Sequence, residues 1–163
     1  MTLCLVEPHR DTEEPGRANA QMIAEGKYFY NAGCLFPVYV RYVISRDNQF
    51  HLIATEDEFR ATFAPIETAN EALSYGLAVT GLSAYYDLKL NLKYEYFVDR
   101  VQDTHVEKTA DGYLVQLYHY QGCGCGPHIT SAVDLLVTFQ GHIERVSTTA
   151  VYKNPVEDDW CVD

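Results

Sequence analysis

Basic residues are scarce in this chain. Twelve Lys and Arg stand against twenty-three Asp and Glu in 163 residues, a formal charge of −11. Such a surface repels DNA or RNA rather than steering it inward, which argues against nucleic-acid binding. Long apolar runs are also missing: no window approaches the ~18 consecutive apolar residues of a membrane helix. The opening stretch meets Glu7 and Arg10 too soon for the core of a signal peptide. These absences predict a soluble, cytoplasmic protein with no membrane partner. Specific catalytic and cofactor motifs are absent as well, so function has to be sought in spacing and placement.

What is present suits globular folding. Apolar residues make up 47% of the chain and charged ones 21%, the balance of an ordinary domain that buries its own core. The five cysteines, at positions 4, 34, 123, 125 and 161, are odd in number and scattered, so a disulfide scaffold is not required.

Residues 1–27 are polar and broken by Pro8, Pro15 and Gly16, and read as an N-terminal arm or surface helix with a short helical stretch over 18–25. Residues 28–163 read as a single α+β domain. Alternation at Val38, Val40, Tyr42 and Ile44, then at Phe50, Leu52 and Ala54, predicts a hairpin over 37–54 turning at Arg46-Asp47-Asn48. Thr55 and Glu58 form a capping box that opens a short helix stopped by Pro65. A second helix opens at Glu67 or Thr68 and stops at Gly81. Its stripe of Ala69, Ala72, Leu73, Gly76 and Leu77 is small enough to lie close against a sheet.

Beyond Leu82, strands are predicted near 83–88, 94–101, 103–109, 113–121, 129–139 and 142–152, with tight turns at Asp111-Gly112 and Gln140-Gly141. Short connections imply an antiparallel meander, curved and covered on one face by two helices, hence α+β. Such a sheet resembles, in general architecture, the cystatin-like and nuclear-transport-factor-like folds, which host enzymes, binders and structural modules alike.

The most distinctive stretch is Gly122-Cys123-Gly124-Cys125-Gly126-Pro127-His128, expected at one end of the sheet between strands 113–121 and 129–139. Its cysteines can pack as small apolar groups, form a bridge, ligate a metal or act as reactive thiols. Cys123, Cys125 and His128 would offer Zn²⁺ three soft donors and leave a fourth position for a remote ligand. As the loop's partner, Cys161 ranks first and Cys34 second, with Trp160 expected to anchor the tail by its indole.

A second constellation lies on the strands. With a turn at Asp111-Gly112, Asp103, His105 and Glu107 fall opposite Tyr120, Tyr118 and Gln116, a polar, tyrosine-rich patch. His119 shares a face with Val115 and Leu117, a place from which it would line a pocket. Thirteen tyrosines are many for this length and suit a contact surface. The leading expectation is therefore a non-enzymatic module binding a small molecule or protein through His119, Tyr118, Tyr120 and His105, with a homodimer among the partners allowed. The alternative is a metal-binding or thiol-dependent protein using Cys123, Cys125, His128 and Cys161.

Overall fold

The computed structural model describes residues 4–5, 20–35 and 38–162. The chain forms two compact units, residues 1–63 and 64–163. In the first, residues 20–24 are helical (α1), while residues 1–3 and 6–19 of the expected arm lie outside the described residues. Strands β2 (Asn31–Ala32) and β3 (Val38–Tyr39) pair with each other, and β1 (Cys4–Leu5) pairs with β4 (Tyr42–Arg46). The expected hairpin is β4 joined to β5 (Gln49–Ile53). Asp47 and Asn48 both take positive φ, the conformation that a two-residue turn matched to strand twist demands.

Helix α2 (Glu56–Phe63) starts as the capping box dictates: the Glu58 amide donates to Thr55 Oγ1, and the Glu58 carboxylate accepts from the amides of Ala54 and Thr55. Phe59 is buried against Phe29, Tyr42 and Phe63, and this aromatic cluster joins Val40, Ile44 and Ile53 in the first unit's core.

The second unit contains α3 (Ala69–Thr80) and a curled five-stranded antiparallel sheet. Its strands are β6 (Glu95–Tyr96), β7 (His105–Lys108), β8 (Gly112–Tyr120), β10 (Ile129–Thr138) and β11 (Ile143–Lys153). They lie side by side in the order β6-β11-β10-β8-β7. The fold class is thus the expected α+β, cystatin-like and nuclear-transport-factor-like in general terms. Two register shifts, at Thr130/Ser131 and Asp134/Leu135, leave Val151 and Val146 of β11 without partners on β10; extra residues of this kind bend a strand and sharpen its twist.

Thr68 caps α3 in a reciprocal box with Glu71, and Gly81 closes the helix in the left-handed conformation at φ 68°. The two backbone amides that the Glu71 carboxylate accepts hold its pKa below the usual carboxylate value. The buried stripe differs from the expected one. It runs through Ala72, Tyr75, Gly76 and Val79, because the Tyr75 hydroxyl reaches the Gly141 carbonyl at 2.9 Å and turns that side of the helix inward. Gly76 does lie close to the sheet: a Cβ there would sit 3.6 Å from both Leu117 and Leu135.

Strand register also corrects the expectation. Lys108 pairs with Tyr113 and the Thr109 amide donates to the Gly112 carbonyl, so the turn centres on Ala110-Asp111 and His105 faces Gln116, two residues away from Tyr118. Because the offset is two, each side chain keeps its face. The expected strands over 83–88 and 94–101 shrink to a Ser83–Tyr118 bridge and to β6. The intervening chain satisfies its backbone with side chains instead: the Asp103 carboxylate accepts from the amides of Asp87 and Leu88, and Thr104 Oγ1 accepts from Tyr85.

A cleft on the open face of the sheet, and a bridged loop at its end

The pleat sorts β8 and β10 into two faces. Val115, Leu117, Val133, Leu135 and Val137 point to α3 and are 0–1% exposed. Their sequence neighbours point the other way, beneath the chain of 83–104. There Tyr118, Ala132 and Val151 form a second apolar cluster with Tyr85, Leu88, Val98, Val101 and Tyr152. Tyr118 is 1% exposed and its hydroxyl donates to the Gln102 carbonyl. Burial, helped by Tyr152 and Asp103, pushes its phenol up to about 12.

Beside this cluster a row of polar side chains crosses four strands. His105 pairs with Gln116, Gln116 with Asp134, and Asp134 with Ser147. Ser147 Oγ donates to one Asp134 oxygen at 2.6 Å. Gln116 Oε1 is buried, yet it has no hydrogen-bond partner among the described residues. A cavity of about 140 Å³ opens over the row, lined by Gln116, Asp134, Tyr118, Thr149 and the 98–102 segment. A shallower hollow of about 490 Å³ adjoins it across Arg100, Val101 and Gln102, and is bordered by Asp103, His105 and Glu107. His105 Nδ1 lies 2.9 Å from the Asp103 carbonyl, which can only accept, so that nitrogen carries the proton; Nε2 lies 3.9 Å from Glu107. The result is a pocket lined by the polar side chains of Gln116, Asp134 and Arg100 together with apolar Val98, Val101 and Val151.

The other expected residues gather elsewhere. Loop 121–128 sits at the end of the sheet between β8 and β10, as anticipated. Within it β9 (Gly124–Cys125) pairs with β12 (Cys161–Val162). Cys125 and Cys161 face each other and form a disulfide, with Cα atoms 4.0 Å apart. Cys34 and Cys123 are each disulfide-bonded as well. A sulfur held in a bridge offers no thiolate, which counts against the metal and reactive-thiol readings.

His128 is 2% exposed, with Nδ1 2.9 Å from the Gln121 carbonyl and Nε2 3.2 Å from that of Trp160. Each ring nitrogen lies against a carbonyl, one within the loop and one on the tail, and a neutral imidazole donates to one of the two. Gly126 is obligatory, because a Cβ there would stand 2.5 Å from the Asp158 carbonyl oxygen. The indole does not anchor the tail: Trp160 is 51% exposed, and its contribution is a carbonyl that accepts from the Gly126 amide at 2.8 Å. Polar contacts complete the attachment, from Tyr120 OH to Glu157 at 2.9 Å and from Lys153 Nζ to Asp158 at 2.7 Å.

Of the four residues expected to bind a ligand, Tyr118 and His105 border the cleft. Tyr120 belongs to the tail clasp, and His119 is exposed on the opposite face of β8 beside Ser131. Of the residues that line the cavity, Gln116 was read only as one edge of the polar patch and Asp134 was not singled out from the sequence; a glutamine alternating with buried apolar residues mid-strand reads as a solvent position. The chain matches no family model, no curated protein and no solved structure.

Proposed function

We propose that the protein is a binding module that takes a compact polar ligand in the cleft between the 98–103 segment and the sheet. The observation that carries this reading is Gln116, a residue that lines the cavity and whose buried Oε1 has no hydrogen-bond partner among the described residues. A buried polar atom left unpaired costs about 1–3 kcal/mol, a cost that a bound donor would remove. The neighbouring Asp134 carboxylate, one oxygen of which is already held by Ser147, favours a ligand that donates hydrogen bonds there, such as an amine, amide or alcohol. The working compartment on this reading is oxidising rather than the cytoplasm expected from the sequence, because bridges such as Cys125–Cys161 persist outside reducing cytosol.

The test is a thermal-shift screen of small amines, amides and polyols on the oxidised protein, repeated on Gln116→Leu. Hits that raise Tm in the parent and fail with the variant would support the cleft. An absence of hits, or hits indifferent to Gln116, would overturn it.

A further inference from the structure

The turn that leads into β6 displays two leucines that the described residues leave largely exposed. Leu92 is 101% exposed and Leu90 64%. The turn is nonetheless well held. The Asn91 amide donates to the Tyr96 hydroxyl at 2.7 Å, the Tyr94 amide to the Asn91 carbonyl at 2.9 Å, and the Lys93 amide to Asn91 Oδ1 at 3.0 Å. Below it the Tyr94 and Tyr96 rings pack on Tyr152, with centroids 5.3 and 5.8 Å away. The leucines are therefore held out in water by an ordered support.

The charge pattern of the turn runs against that of the chain. Lys89 and Lys93 alternate with the leucines, and no carboxylate occurs between Asp87 and Glu95, although the net charge is −11. Protruding aliphatic tips between ammonium groups, with tyrosines at their base, match the layered chemistry of a bilayer surface: acyl chains, phosphates and the headgroup level that aromatic rings favour. A second copy of the chain is a poorer match, since two such tips would bring lysine against lysine.

We propose that residues 88–94 form a bilayer-docking tip, inserting Leu90 and Leu92 among the acyl chains of an anionic lipid surface while Lys89 and Lys93 meet the phosphates. The contact is peripheral, for no helix among the described residues is long and apolar enough to cross a membrane. Acidic surface further than about a Debye length, ~8 Å, from the bilayer is screened and does not oppose docking. The inference stands apart from the cleft.

Co-sedimentation with vesicles of phosphatidylcholine, with and without phosphatidylglycerol, tests it. The protein should partition to the anionic vesicles. Leu90→Asp with Leu92→Asp should reduce this by more than about tenfold, and Lys89→Glu with Lys93→Glu should remove the preference for phosphatidylglycerol. All four sites are exposed, so the variants should melt as the parent does. In a Trp160→Phe background, Leu92→Trp should shift its emission to the blue on adding the anionic vesicles. Failure to sediment with either vesicle, or sedimentation that the aspartates leave unchanged, would overturn the proposal. So would a lipid-free dimer that the aspartates dissolve, which would make the tip a self-association surface.

Discussion

The two faces of the sheet are buried by different means. Toward α3, Val115, Leu117, Val133, Leu135 and Val137 meet a helix whose backbone is satisfied internally, so these strand positions are all apolar. Toward the 83–104 segment, the covering chain joins the ladder only at Ser83 and Glu95–Tyr96 and elsewhere hydrogen-bonds through the Asp103 and Thr104 side chains and the Gln102 carbonyl. A cover of that kind admits polar neighbours, and the row His105, Gln116, Asp134, Ser147 survives beneath it together with a cavity. One face maintains the fold; the other is where the molecule keeps unspent hydrogen-bonding capacity.

The sharpest way to break this contrast is to delete what each face contributes, packed carbon on one and a hydroxyl bond on the other. Leu135→Ala on the α3 face should cost about 2–5 kcal/mol in urea denaturation, since every deleted atom is packed. Tyr118→Phe on the other face should cost only about 0.5–1.5 kcal/mol, the worth of one hydroxyl bond. Equal losses would mean that the open face contributes to the fold on the same scale as the dry one. Between these lies the bridge at the sheet's end. Replacing Cys125 and Cys161 together by Ser releases a link spanning 36 residues, for which chain entropy predicts a loss of about 3–4 kcal/mol by the same denaturation. A near-silent result would show that the contacts of His128 and Gly126 already hold the tail.

Alkali probes the open face through Tyr118, alongside Tyr42 of the first unit and Tyr120 and Tyr152, whose phenols burial also raises. The Tyr118 phenol titrates at about 12 in the fold, against ~10 for a free phenol. Its contribution to stability is whole below about pH 10 and drains away as pH rises toward the folded value, because the unfolded chain ionises first. Melting temperature should therefore fall across that window, and Tyr118→Phe should flatten the fall. An unchanged slope in the variant would show that Tyr118 is already accessible.

Much of this arrangement was legible in the residues. The capping pairs Thr55 with Glu58 and Thr68 with Glu71, the stop at Gly81 and the parity of β8 and β10 all follow from local rules, whereas the Cys125–Cys161 pairing was expected on an indole anchor that the exposed Trp160 does not supply. Those rules operate within a few residues or across a period of two. The chain of 83–104 was not legible, because tyrosines such as Tyr85 carry strand propensity while the Tyr85 amide goes to the Thr104 side chain, many positions distant. Gln116 was hidden for the same reason: whether a mid-strand glutamine meets water or a cavity depends on a cover that no short-range pattern specifies.

The most direct measurement is the stability of Gln116→Leu in the unliganded protein. If Gln116 Oε1 is kept unpaired for a ligand, the leucine removes a buried penalty and the variant should be as stable as the parent, or more stable by up to about 1–3 kcal/mol, while ligand-induced shifts vanish. A clear loss of stability on that substitution would contradict the account, showing that the glutamine serves the fold and that the cleft is only a gap beneath its cover.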